Sequence, residues 1–151
     1  MKKVSLKEFN RISNRDLTKL FEYVNNRKDS YLEEIELKDF KDKTNTWCCN
    51  SNSEFFGIFN NNVFVGTISL SKQNMKENRA CIGYEIFNKF RRQGFASAAF
   101  KLILKLANNK KFSNLHATIR KENDPSLKIW RNEGAVFEEF STNKVEAILK
   151  F

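Results

Sequence analysis

At 151 residues the chain has room for one domain with a sizeable core, so it needs no disulfide or metal staple. Lys and Arg outnumber Asp and Glu by 27 to 18, giving a formal charge of +9, and only one proline and five glycines occur. No apolar run is long enough to span a bilayer, which excludes a helical membrane protein as the composition excludes a low-complexity one. The positive excess favours an anionic ligand: a phosphorylated cofactor, RNA or an acidic protein surface.

The first eight residues, Met1 to Glu8, carry charge where a secretion signal needs an apolar run, so a cytoplasmic protein without membrane attachment is expected. Cys48, Cys49 and Cys81 lack the spacing of a zinc site and cannot all pair. Reduced thiols and no metal site follow.

Val4, Leu6 and Phe9 suggest a first strand. Ser13-Asn14-Arg15-Asp16 is a capping box, and behind it Leu17, Leu20, Phe21 and Val24 recur with helical spacing. A second box, Ser30 to Glu33, opens another helical segment through Leu37 or Phe40. Phe55 to Phe59 and Val63 to Leu70 flank three asparagines, which tolerate positive φ, and so read as a β-hairpin. Lys72 to Arg79 reads as a polar loop and Ala80 to Phe87 as a further strand.

After Gly94 the apolar stripe Phe95, Ala98, Ala99, Leu102, Ile103 and Leu106 predicts a helix ending at Asn108 to Lys111. Leu115 to Ile119 is a short strand reached by that helical crossover, hence a parallel neighbour of the strand at 80–87. Asp124-Pro125 starts the last helix and Gly134 ends it; 135–140 and 144–151 close the chain as two strands.

The chemistry concentrates between the strand at 80–87 and the helix that follows, in Phe87 to Ser97. A helix N-terminus offers unpaired N–H groups and a positive dipole end, a combination that attracts anions. Gly94 and Ala96 let a diphosphate approach the backbone of Arg91-Arg92-Gln93-Gly94-Phe95-Ala96-Ser97, and Lys89, Arg91 and Arg92 add charge.

Arg91-x-x-Gly94-x-Ala96 after Ile82-Gly83-Tyr84-Glu85-Ile86 resembles the Q/R-x-x-G-x-G/A motif of the GNAT acetyltransferase superfamily. Asn123, Ser126 and Trp130, before Gly134-Ala135, resemble the family's N-x-x-A/S-x-x-x-Y segment. The resemblance covers essentially the whole chain. It implies a single N-acetyltransferase domain of α/β (α+β) class, with a mixed, mostly antiparallel sheet of six to seven strands flanked by about four helices. The implied order is β-α-α-β-β-β-α-β-α-β-β. It further implies acetyl-CoA as cosubstrate, its diphosphate on 91–97. The pantetheine arm would lie between splayed strands at 80–87 and 115–120, beside Ile86, Phe87, Asn123, Ser126 and Trp130. Lys128 or Arg131 would reach the adenosine phosphate.

Direct attack on a thioester needs a neutral amine, and a lysine-type amine has a pKa of about 10.4, so a base is required. Glu85 is the nearest candidate. Glu33, Glu34 and Glu36 are a second set that would line the acceptor site, unless they form a solvated face. Trp130 stands where the family often has a tyrosine that protonates the departing thiolate, and an indole N–H cannot do that. Tyr84 is the fallback acid, although alternation along a strand puts it opposite Glu85. His116, the only histidine, reads as structural. The expected reaction is acetyl transfer to a primary amine of a small molecule or protein. The other readings are a non-catalytic CoA sensor and a basic RNA- or protein-binding module; nucleic acid ranks low because the phenylalanines follow core periodicity. A homodimer stays open.

Overall fold

The computed structural model describes residues 3–25 and 34–151. In chain order they form β1 (Val4–Glu8), α1 (Asn14–Val24), α2 (Glu34–Asn50), β2 (Glu54–Asn60), β3 (Val63–Asn74) and β4 (Arg79–Ile86). Then come α3 (Phe95–Asn109), β5 (Asn114–Arg120), α4 (Asp124–Asn132), β6 (Val136–Ser141) and β7 (Lys144–Lys150). Short 3-10 turns lie at Phe9–Arg11 and Asn88–Phe90. The element order is the expected one, with seven strands in one sheet ordered β1-β2-β3-β4-β5-β7-β6.

The local signals act as the sequence suggests. Ser13 Oγ accepts the Asp16 amide at 3.2 Å and starts α1. Asn61, at φ 56°, turns the β2–β3 hairpin. Asn123 caps α4 by accepting the Ser126 amide at 3.3 Å, and Gly134, at φ 95°, ends that helix in the left-handed region. Along α3, Phe95, Ala99, Phe100, Ile103 and Ala107 are buried on one stripe. Each large side chain among them stabilises the fold by about 1.5–3 kcal/mol through removal from water.

Two boundaries differ from expectation. The helix expected to stop at Leu37 or Phe40 runs to Asn50. Its second half is mostly polar, yet Leu37, Phe40 and Trp47 stay on the inward side, where Phe40 and Trp47 meet Phe9, Phe21 and Phe55 edge-on. Its expected start at Ser30 to Glu33 lies outside the described residues. The loop expected from Lys72 is shorter, because β3 continues to Asn74 and pairs with Arg79 across a bulge. Backbone pairing there needs no apolar pattern.

The sheet separates two clusters. α3 and α4 pack over one, with Ile58, Val65, Ile68, Ile82, Ile86, Phe100 and Trp130 inside it. α1 and α2 cover the other, built on Phe9, Ile12, Leu17, Leu20, Phe59, Phe64 and Phe87. Within the sheet only β4 and β5 run parallel, and they pair over just three residues each, Arg79–Cys81 with Asn114–His116. Beyond that, β4 stays bonded to β3 as far as Ile86 and β5 to β7 as far as Arg120. Each strand therefore presents a bare edge to a gap that opens toward its carboxyl end.

Candidate active site

Because β4 and β5 are parallel, α3 begins just beyond the end of β4 and α4 just beyond the end of β5. Two helix N-termini thus lie at the carboxyl ends of the parallel pair, the usual place for a ligand in such a sheet. The link into α3 is strained in a useful way. Arg92 sits at φ 64° and Gly94 at φ 82°, so the chain alternates handedness and turns successive amides toward one side, a geometry that cradles anions. A non-glycine residue in the left-handed region costs about 1–2 kcal/mol. Gly94 caps α3 without any side chain, and Arg92, Gln93, Gly94 and Ser97 are exposed while Phe95 is buried and Ala96 half-buried.

Arg91 points elsewhere. Its Nε donates to the Ile86 carbonyl at 2.9 Å, and its Nη2 donates to Glu85 Oε1 at 2.6 Å and to the Tyr23 hydroxyl at 3.1 Å. Tyr23, from α1, donates its own hydroxyl to the same Glu85 oxygen at 2.7 Å. Both donors converge on Oε1, and Oε2 takes no hydrogen bond among the described residues. Burial first, then the hydrogen bond to Glu85, pushes the Tyr23 phenol above its ordinary value, so it stays a donor at neutral pH. No local pattern marks Tyr23 as a site residue: its partner lies 62 residues away, and its one local signal is a place three residues after Leu20.

Alternation along β4 is as expected. Tyr84 packs with Ile82 and Ile86 on the α3 side, while Glu85 faces the α1–α2 side and helps line a cavity of about 650 Å³ with Leu20, Tyr23, Phe40, Trp47, Phe55 and Phe87. The position of Glu85 is held by a close strand approach: a Cβ at Gly66 would collide with the Glu85 carbonyl and come within 3.0 Å of Ile86 Cα. Glu36 does not line the cavity; Glu33, and the side chain of Glu34, lie outside the described residues.

On the other face Tyr84 crosses the gap and donates to Ser126 Oγ of α4 at 2.9 Å. Burial raises its phenol, against a smaller lowering by the Ser126 bond. Trp130 is 1% exposed, its ring 4.9 Å from that of Phe100, so it belongs to the core. Ile86 and Phe87 bury their side chains on opposite faces; the Ile86 carbonyl is taken by Arg91, and Phe87 pairs its N–H with the Val65 carbonyl and its carbonyl with the Phe90 amide. Asn123 is exposed at the α4 start. The Arg131 guanidinium lies over the Phe137 ring at 5.6 Å. His116 meets Glu146 at 2.9 Å, a structural pairing between β5 and β7.

A family model described as an acetyltransferase (GNAT) domain matches residues 8–136. The chain belongs to the GNAT acetyltransferase family. As a member it is an acetyl-CoA-dependent N-acetyltransferase that moves the acetyl group of acetyl-CoA to an amine; a CoA sensor or RNA-binding module is not favoured. Comparison with curated protein sequences finds no match. The fold is similar to that of the Campylobacter jejuni N-acetyltransferase PseH in complex with acetyl coenzyme A, with TM-score 0.78, 16% identity, and 98% and 99% of the two chains covered. It is also similar to RimL, a ribosomal L7/L12 alpha-N-protein acetyltransferase in complex with coenzyme A (TM-score 0.74, 17% identity, 98% and 94% covered). A third similar structure is spermidine N-acetyltransferase from Vibrio cholerae, described as dodecameric (TM-score 0.72, 17% identity, 98% and 92% covered). No helix among the described residues is long and apolar enough to cross a membrane.

Proposed function

We propose that this acetyltransferase holds acetyl-CoA along the bare edge of β4 and takes its amine, a primary one, from the cavity on the α1–α2 side. The whole chain acts as one catalytic domain, in the cytoplasm. One observation carries this reading: a single strand, β4, borders the gap with its backbone edge and the cavity with Glu85.

The residues fit the cosubstrate. Amides of Arg92 to Ala96 and the dipole of α3 suit a diphosphate, with Lys89 and Arg92 adding charge. The pantetheine arm carries amides, which suit the gap-facing N–H and C=O groups of β4 beyond Cys81, apart from the Ile86 carbonyl that Arg91 occupies. Asn123 and Ser126, at the start of α4, border the same gap. Trp130 supports α4 from the core rather than touching the cosubstrate. Arg91, although at the motif's first position, positions Glu85.

In the reaction the amine nitrogen forms the N–C bond to the thioester carbonyl, the C–S bond breaks, and the electron pair leaves with sulfur. Glu85, directly or through one water, accepts the proton the amine loses. Its pair with Arg91 is half-exposed on both sides, so it stabilises by about 1 kcal/mol or less, and an incoming ammonium can compete for the carboxylate. Tyr84 lies on the opposite face of β4 from Glu85 and is bonded to Ser126, so at most one of the two faces the reacting atoms, and Tyr84 is not assigned as the acid. A thiol with a pKa of about 8.5 is a fair leaving group without one.

The test is thiol release from acetyl-CoA across a panel of primary amines, alongside acetyl-CoA binding by calorimetry. Binding together with amine-dependent thiol release is the expected result. Binding without release for every amine would refute catalysis through Glu85, and absence of binding would refute the placement of the cosubstrate.

A further inference from the structure

The walls of the cavity that holds Glu85 carry information about the acceptor beyond its amine. Leu20, Tyr23, Phe40, Trp47, Phe55 and Phe87 make the lining predominantly apolar and aromatic. Among the described lining residues only Glu85 is anionic and only Lys43 is cationic. Lys43 also pairs with Asp39 at 3.0 Å, and both are exposed, so this cation sits toward the rim. A volume of about 650 Å³ is mid-range for a small-molecule site.

This distribution separates acceptor classes. A single ammonium finds one partner, the Oε2 oxygen of Glu85. Among the described lining residues a second ammonium on the same molecule would face aromatic walls and a lysine, losing water without gaining a carboxylate. A polyhydroxylated sugar would likewise leave hydroxyls against apolar carbon. An apolar or aromatic body instead covers Trp47, which is 45% exposed, and Val24, which is 61% exposed. Such a large exposed aromatic beside a carboxylate suits a ligand that is charged at one end and greasy at the other.

We propose that the acceptor is a primary amine on an apolar, ring-bearing or branched body. This rests on the reading of the cavity as the acceptor side. The same chemistry is offered by a free aralkyl amine and by the N-terminus of a peptide with an apolar first residue.

The experiment compares 2-phenylethylamine, a phenylalanyl peptide, spermidine and glucosamine, first as ligands of the full-length protein saturated with CoA and then as acceptors with acetyl-CoA. The apolar amines are expected to bind at least tenfold more tightly than spermidine or glucosamine and to show at least tenfold higher kcat/KM; the better of the two identifies the source. Trp47→Ala should weaken 2-phenylethylamine binding about tenfold, with acetyl-CoA affinity within twofold. Tighter binding of spermidine or glucosamine, no binding of either apolar amine, or indifference to Trp47→Ala would overturn the proposal. The binding arm needs no turnover, so failure of the acceptor class is distinguishable from failure of catalysis.

Discussion

The two faces of β4 differ in how they are finished. On the α3 side Tyr84 is tied to Ser126 at 2.9 Å and backed by Phe100 and Trp130, which are 0% and 1% exposed. On the α1–α2 side Glu85 stands in a half-open, aromatic cavity within a hydrogen-bond network that joins α1, β4 and the loop before α3. Two residues one apart in sequence thus serve two environments, because a strand turns consecutive side chains to opposite faces. The comparison suggests a division of labour: a packed frame fixes the cosubstrate's gap, while a looser face of larger, partly exposed side chains accommodates the acceptor.

Substitutions can break that division in order of expected effect. Glu85→Gln removes the proposed base and ammonium partner, so kcat/KM for the preferred amine should fall by about a hundredfold to ten-thousandfold, measured by thiol release. Trp130→Ala empties a fully buried site and should cost about 3–5 kcal/mol of stability in denaturant unfolding; a loss under 1 kcal/mol would mean the indole is not core. Gly94→Glu imposes about 1–2 kcal/mol of left-handed strain and sets a carboxylate against the proposed diphosphate site, so acetyl-CoA affinity should drop roughly a hundredfold by calorimetry. Unchanged affinity would move the diphosphate elsewhere.

Tyr84→Phe should leave kcat and acetyl-CoA affinity within about threefold of the parent, because the hydroxyl lies on the face opposite Glu85 and is bonded to Ser126. The same variant has a small stability signature. Burial raises the Tyr84 phenol, so the unfolded chain loses that proton first as pH climbs. The contribution to stability is complete below about pH 10, the ordinary tyrosine value, and fades as pH rises toward the raised value. Tyr84→Phe should therefore lose less stability than the parent as pH rises above about 10, and the two should run parallel between pH 6 and 9.

Much of this was legible in the sequence. The stripe after Gly94, the Asp124-Pro125 start and the asparagine turn are local signals, and the structure keeps them. The second half of α2 was not, because Lys41 to Asn50 holds a single large apolar side chain, Trp47, and is helical through tertiary contact with Phe55 more than through its own periodicity. The polar end of β3 was hidden for the same reason. Within the candidate site, alternation predicted that Tyr84 and Glu85 diverge but could not say which face was open. At Gly94 the motif marks a backbone angle, φ 82°, which a local pattern can carry. The partners of the Arg91 guanidinium, Ile86, Glu85 and Tyr23, were not legible, because they meet only once α1 packs against β4. For Trp130 the sequence leaves two readings open, the pantetheine end or the core, and burial to 1% exposure decides for the core, with Leu127 one helical turn before it packed against the α3 cluster.

The most direct test of the division across β4 is to measure acetyl-CoA dissociation constants and amine-dependent turnover on Glu85→Gln and Gly94→Glu together. Glu85→Gln is predicted to lose turnover by at least a hundredfold while binding acetyl-CoA within twofold of the parent, and Gly94→Glu to lose acetyl-CoA affinity with kcat at saturation changed far less. Equal losses of affinity and turnover in both variants, or full turnover in Glu85→Gln, would contradict the account.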